Sequence, residues 1–196
     1  MLLGGVLCLD FVNTKNWHTD EKPYDFFGDY NALLQWSLQL KLITQSQAEQ
    51  LLMLSGRQTQ KAQATLEQAK QLREIIYRIF LAIANTQEVP PSELDRFNSA
   101  WTKSLASLQV YPAQKVFRWK WVGIDEALDS MLWPVLHSAA ELLISKKLYR
   151  VKDCEGCGWL FLDTTKGGRR RWCDMRICGN RAKSKRHYAR TRGLES

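Results

Sequence analysis

The sequence contains no stretch approaching 18 uncharged apolar residues, so no membrane-spanning helix and no membrane partner are expected. It also lacks repeats and low-complexity segments, and with 11 glycines and 5 prolines its composition is neither collagen-like nor disordered. Histidine is scarce: His18, His137 and His187 stand far apart, with no Ser, Cys or Asp constellation in sequence reach. A glycine-rich phosphate loop is missing too, and these absences argue against an enzyme. Met1–Leu7 is apolar but lacks a basic flank and a long apolar core, so no secretory signal is expected and the reading is cytoplasmic. Cysteine is thin, at 5 residues, yet Cys154, Cys157, Cys173 and Cys178 crowd into one short segment. In a cytosolic chain such crowding reads as metal binding rather than disulfides.

What is present is an ordinary globular composition: 196 residues, 45% hydrophobic and 24% charged, room for one domain plus a small appendage. The net charge of +8 is unevenly spread. Residues 1–145 carry 13 Lys and Arg against 15 Asp and Glu, whereas residues 146–196 carry 15 against 5. The basic surplus belongs to the last quarter of the chain and points to a polyanionic partner.

Periodicity organises the first 145 residues. Leu7, Leu9 and Phe11 alternate with Cys8, Asp10 and Val12, which predicts a short strand or buried extended segment ending at Asn13 and Thr14. Asp29 to Asn31 offer caps for an amphipathic helix through Leu40, and Thr44 or Ser46 caps another that Gly56 stops. The longest stripe, Leu66, Ala69, Leu72, Ile76, Ile79, Phe80 and Ile83, predicts a helix over 61–85. Beyond Pro90 and Pro91, Ser92 caps a helix carrying Phe97 and Trp101. Residues 108–112 and 116–121 then alternate as the arms of a hairpin, and 125–145 reads as a helix that Pro134 either kinks or begins. The expected class is α+β: a mostly helical N-terminal domain with a small β-hairpin over 1–148, then a treble-clef-like zinc finger with four cysteine ligands over 149–196.

The finger reading rests on the spacing Cys154-x2-Cys157-x15-Cys173-x4-Cys178. A Cys-x2-Cys pair brings two thiolates onto one tight turn, and a second pair completes a tetrahedron. Residues 158–163 and 169–172 are expected to form the two arms of a hairpin, and a helix is expected from about Asp174 to Arg190. Four thiolates leave no position for water, so the one Zn²⁺ is structural. Such a short segment has too few apolar residues to fold without a staple.

The basic residues surround this site. Arg169, Arg170 and Arg171 precede Trp172; Arg176, Arg181, Lys183, Lys185, Arg186, Arg190 and Arg192 follow. On a helix Arg181, Lys185 and Arg192 share one face while Lys183, Arg186 and Arg190 lie nearly opposite, leaving Ala182, Ala189, Ile177 and Tyr188 to pack inward. A helix charged on two sides suits a nucleic-acid groove, and these ten residues are the candidate contacts. Asn180 is either an adenine reader or, with Gly179, part of the tight backbone beside Cys178.

Cys154-Glu155-Gly156-Cys157-Gly158-Trp159, Arg171-Trp172-Cys173-Asp174 and Cys178-Gly179-Asn180-Arg181 closely resemble the CGNR zinc-finger family. Leu7-Cys8-Leu9-Asp10-Phe11-Val12-Asn13-Thr14 and Leu72-Arg73-Glu74 resemble the ABATE domain usually paired with it in chains assigned to stress-induced bacterial transcription regulation. The resemblance implies a four-cysteine finger that binds DNA, with the ligands carried to Cys154, Cys157, Cys173 and Cys178. Asp10, Asn13, Thr14, Trp17 and Arg73 then have two readings. They line a pocket for a small-molecule effector, or Asp10 and Asn13 cap turns while Arg73, paired with Asp10, satisfies a buried carboxylate. The chain reads as a regulator that senses or homodimerises through its helical domain and contacts duplex DNA through its finger. The alternatives are an RNA- or ribosome-associated zinc protein and a module that docks an acidic protein.

Overall fold

The computed structural model describes residues 3–16 and 24–191. The order of elements is α1 (Leu7–Val12), α2 (Tyr30–Gln39), α3 (Gln45–Arg57), α4 (Thr59–Ala84), α5 (Pro91–Leu105), β1 (Leu108–Ala113), β2 (Val116–Trp121), α6 (Trp133–Leu143), β3 (Val151–Asp153), β4 (Leu160–Leu162) and α7 (Asn180–Thr191). Short 3₁₀ turns occupy Ser130–Leu132 and Leu148–Arg150. Trp17, His18 and Arg192 lie outside the described residues.

Local signals account for most of the helices. The Asp29 carboxylate accepts from the Ala32 amide, and Thr44 closes a capping box with Gln47. α4 buries Leu66, Ala69, Leu72, Ile76, Ile79 and Phe80 along the expected stripe and serves as the central post. Two details differ from expectation. Gly56 lies inside α3, because Arg57 and not glycine ends it. Pro91 occupies the first turn of α5, where its missing amide costs nothing, so Ser92 is not the cap. Of the two roles expected of Pro134, the structure takes the second: it stands at the start of α6.

The largest departure is α1, expected as extended chain. Cys8, Leu9, Phe11 and Val12 are all buried, so the segment is apolar around most of its girth, and the alternation at Leu7, Leu9 and Phe11 marked no single face. A buried strand without a neighbouring strand would leave its amides unpaired, whereas a helix satisfies them internally. Asp10 accepts the Gly4 amide at 2.8 Å ahead of the helix. A Cβ on Gly4 would lie 2.6 Å from the Asp10 nitrogen, so this approach requires glycine.

Arg73 of α4 is 1% exposed, and its charge is answered by Asp25 rather than Asp10. Its Nη1 donates to Asp25 Oδ1 at 2.7 Å and to the Thr14 hydroxyl at 3.1 Å, and the guanidinium lies 5.3 Å from the Phe27 ring centroid. Asp25 sits on an irregular segment between α1 and α2, too far along the chain for any local pattern to reveal. Burial pushes its carboxyl up, but donation from Arg73 and the Phe27 amide and the Arg73 charge outweigh this and hold it below its ordinary 3.8.

The C-terminal segment departs from expectation in its pairing. β4 pairs antiparallel with β3 through Val151↔Leu162, Lys152↔Phe161 and Asp153↔Leu160; residues 169–172 form no strand. The Cys154 to Gly158 turn is thus the tip of a hairpin whose arms bracket it. β4 has two inside faces. Leu160 and Leu162, with Val151, join the main helical core, while Phe161 joins Cys154, Cys173 and Cys178 in a second, smaller cluster. The hydrophobic core therefore runs across residues 148 and 149. α1 secures this strand: the Asn13 side chain donates to the Leu160 carbonyl at 2.8 Å and accepts the Leu160 amide at 3.0 Å. The Leu162 amide donates to the Gly4 carbonyl at 2.8 Å, and Trp159 Nε1 donates to the Lys15 carbonyl at 3.0 Å.

Two outcomes follow from these contacts. Asp25→Ala leaves a buried guanidinium unanswered and is expected to cost about 3 kcal/mol in urea unfolding. Because the Asp25 carboxyl is held below its unfolded value, its contribution is full above pH 3.8 and fades as the pH falls below it. The Asp25→Ala variant should therefore show a flatter acid limb in stability measured from pH 6 to pH 3.

Candidate metal centre and nucleic-acid interface

The knuckle follows β3 directly. The Cys154 carbonyl accepts from the Cys157 amide at 3.2 Å and the Gly158 amide at 2.8 Å, and the Cys154 amide donates to the Trp159 carbonyl at 2.9 Å. Gly158 closes the turn at φ 68°, a left-handed conformation that favours glycine. The second pair is set by Asp174, which accepts from the Arg176 amide at 2.6 Å. The Cys178 and Gly179 amides both donate to the Asp174 carbonyl, giving a widened turn over Met175–Gly179 that leads into α7. Asn180 Nδ2 donates back to the Arg176 carbonyl at 3.1 Å, a contact to the backbone beside Cys178.

These turns bring all four sulfurs within 4.8 Å of one another. Cys157 Sγ lies 3.6 Å from Cys173 Sγ, which lies 3.7 Å from Cys178 Sγ. A tetrahedral Zn²⁺ with Zn–S bonds of about 2.3 Å separates its sulfurs by roughly 3.8 Å, so the donor set fits the ion. Cys154, Cys173 and Cys178 are buried and Cys157 half-buried. The thiols compete for one charge: donation from Cys157 and Cys173 pulls Cys154 far down, and the same contacts push Cys157 up to about 12 and Cys173 up further. A dication resolves that competition by holding four thiolates at once, and such binding contributes on the order of 10 kcal/mol to folding. Cys8 is remote from this cluster, buried in the helical core, with its thiol pushed up to about 12 by burial.

The ten basic candidates divide into two groups. Arg170 is structural: its Nε donates to the Trp172 carbonyl at 2.8 Å, its Nη2 to the Cys173 carbonyl, and its guanidinium lies 4.7 Å from the Phe161 ring centroid. Arg171 is paired with Glu155, its Nε donating at 2.6 Å, and Arg176 is paired with Asp174. The fully buried Asp163 orders the intervening loop by accepting from Thr165 Oγ1 at 2.6 Å and from the Thr165 and Arg170 amides at 2.9 Å each. Arg169, Arg181, Lys183, Lys185 and Arg186 are exposed and form no ion pair among the described residues; Arg190 is exposed. α7 has no buried residue, and only Ala182 and Ala189 are half-covered. Ile177 and Tyr188, expected to pack inward, are 40% and 65% exposed, because the finger has no second layer against which to bury them.

A cavity of about 470 Å³ separates α7 from the knuckle. Arg181, Lys185 and Arg186 rise on the helix side, Glu155 and Arg171 on the knuckle side, and Trp172, Ala182 and Ala189 are among its lining. Sequence reasoning overlooked Glu155, Asp163 and Asp174. Isolated acids within a basic segment were the available signal, since such acids cap turns or take arginine partners.

Asp10 accepts the Gly4 amide and Asn13 holds β4, while Arg73 donates to Thr14 and Asp25, so the expected pairing of Arg73 with Asp10 is replaced by one with Asp25. None of them lines the groove of about 510 Å³ bounded by α4, α5 and α6, where Asp95, Arg96, Lys103 and Asp129 stand over Leu72, Ile75 and Leu132. No helix among the described residues is long and apolar enough to cross a membrane.

A closed four-sulfur tetrahedron on a hairpin and a helix makes this a structural zinc finger, carried on a helical domain. Residues 150–191 match the CGNR zinc finger. Residues 5–146, more than half of the chain, match the ABATE family, whose description is "Putative stress-induced transcription regulator", and the chain belongs to that family. Among curated proteins none matches the chain.

Cys157→Ser should release the metal, read by a colorimetric zinc assay. Far-UV circular dichroism should then lose no more than the share of α7, while the thermal midpoint of the helical body falls because Leu160 and Leu162 are no longer held in its core. Arg170→Ala should also lower zinc retention, whereas Arg169→Ala should leave it unchanged.

Proposed function

We propose that the chain is a cytoplasmic, non-enzymatic transcription regulator whose finger binds duplex DNA and whose helical domain dimerises or senses. The observation that carries this reading is α7: solvated on nearly its whole circumference, fixed at its first turn by Cys178, and bearing Arg181, Lys183, Lys185 and Arg186 without a carboxylate partner among the described residues. A helix in this state has no packing function within the chain, and its cations suit the phosphates on both sides of a groove. The acids of the finger support the reading by their placement. Glu155 and Asp174 neutralise Arg171 and Arg176 near the metal, which leaves Lys166, Arg169, Arg181, Lys183, Lys185 and Arg186 without an ion pair among the described residues. Arg170, Arg171 and Arg176 then serve the finger's own structure, and the phosphate contacts fall to Arg169, Arg181, Lys183, Lys185 and Arg186, with Arg190 on the same helix. The ABATE description supports a regulatory role.

Five phosphate contacts on duplex DNA predict a slope of about −4.5 for log affinity against log salt. Fluorescence anisotropy of the zinc-loaded protein with labelled duplex, from 50 to 300 mM salt, measures it. Lys185→Ala should reduce the slope by about one unit on every sequence, as a phosphate contact does. Binding that ignores salt would overturn the phosphate reading in favour of an acidic protein partner. Equal affinity for structured RNA in competition would overturn the assignment to DNA.

A further inference from the structure

The β1–β2 hairpin projects an apolar ladder out of the helical core. In its register Leu108 faces Trp121, Val110 faces Trp119 and Pro112 faces Phe117, so all six residues share one side of the ribbon. The opposite side holds Gln109, Tyr111, Arg118 and Lys120, with the Lys120 ammonium 4.3 Å from the Tyr111 ring centroid. The base of the ladder is anchored: the Trp121 ring lies 5.9 Å from that of Trp133 and 6.0 Å from that of His137, both on α6. The outer rungs are largely solvated, the Trp119 ring reaching only the edge of this anchor at 6.5 Å from that of His137. Val110 is 58%, Trp119 61% and Phe117 74% exposed.

We infer that the outer rungs of this ladder are a self-association surface, and that their occupant is the same ladder of a second copy of this chain. The inference deepens the dimerising role proposed above and rests on it. Three observations select a second copy. The face is uncharged, so it can meet its own image without repulsion, as an isologous interface requires. The reverse face, with Arg118 and Lys120, would repel itself. A two-stranded ribbon is marginal alone, and two ribbons stacked about 10 Å apart through their apolar faces supply the missing layer.

The area sets the strength. On about 200 Å² per aromatic side chain, Phe117 and Trp119 leave roughly 300 Å² in water, and Val110 and Pro112 bring the patch to roughly 400 Å². That matches the largest apolar patches of monomeric proteins, which are often functional. It is about half of the ~800 Å² per partner of a standard interface, so the association is weak and reversible. Two fingers on neighbouring half-sites of one duplex would strengthen it by avidity.

Sedimentation equilibrium of the zinc-loaded full chain, from 1 to 300 μM, tests this directly. The wild type should shift toward dimer as concentration rises. Phe117→Glu and Val110→Lys should each weaken association at least tenfold, and Tyr111→Glu, on the reverse face, should not. Circular dichroism of each variant confirms its fold. A wild type that stays monomeric throughout assigns the face to a different occupant and overturns the inference, as does unchanged association in both ladder variants. Anisotropy with a single short duplex, run on the same samples, separates this from the nucleic-acid reading. Phe117→Glu should bind that duplex as the wild type does. Lost association with retained binding in the wild type would sink only the ladder, and the reverse outcome only the DNA assignment.

Discussion

β4 is a strand of three residues with no outside. Leu160 and Leu162 point into the helical core and Phe161 into the sulfur cluster, and the period-2 alternation of a strand divides one short segment between two interiors. The rest of the architecture depends on this. The metal turn sits at the tip of the hairpin that β4 completes. Arg170 stacks on Phe161 from the finger side, and α1 supports Leu160 from the other through Asn13. Removing the metal therefore disturbs more than a peripheral module, and loosening α1 disturbs more than the helical body. The two family matches abut at residues 146 and 150, but the packing makes them one structure.

Electrostatics is the second organising constraint. The basic segment is basic in composition throughout but not in effect. Near the sulfurs, positive charge is consumed by Glu155 and Asp174 and by backbone carbonyls, which lets Arg170, Arg171 and Arg176 act as struts. Away from the sulfurs Arg181, Lys183, Lys185 and Arg186 have no carboxylate partner among the described residues. A formal surplus spread over fifty residues thus becomes a local field along one helix.

Features that depend on near neighbours were legible in the sequence. The Thr44 capping box, the α4 stripe, the β1–β2 alternation and the four cysteines all declare themselves within a few residues or by spacing. Features that depend on distant partners were not. The Asp25 answer to Arg73 crosses from an irregular segment to the middle of a helix. The pairing of β4 with β3 rather than with 169–172 is decided by Leu160 and Leu162 reaching a core built from residues far earlier in the chain. α1 misled because its six residues are buried on nearly all sides, and complete burial erases the periodicity that distinguishes helix from strand. Within the site, spacing revealed the ligands, but composition could not show which arginines were already engaged.

α7 carries a thermodynamic consequence. Twelve residues are about the length at which an isolated helix is marginal in water, and this one is tethered at its first turn with almost nothing packed along its flank. Its last turns are held by backbone hydrogen bonds in competition with solvent. A surface that firms up as it engages a polyanion gains enthalpy from newly secured hydrogen bonds and gives back entropy in ordering. On the proposed DNA-binding role, that exchange would keep the complex readily reversible, and warming would erode the helix and the contact together.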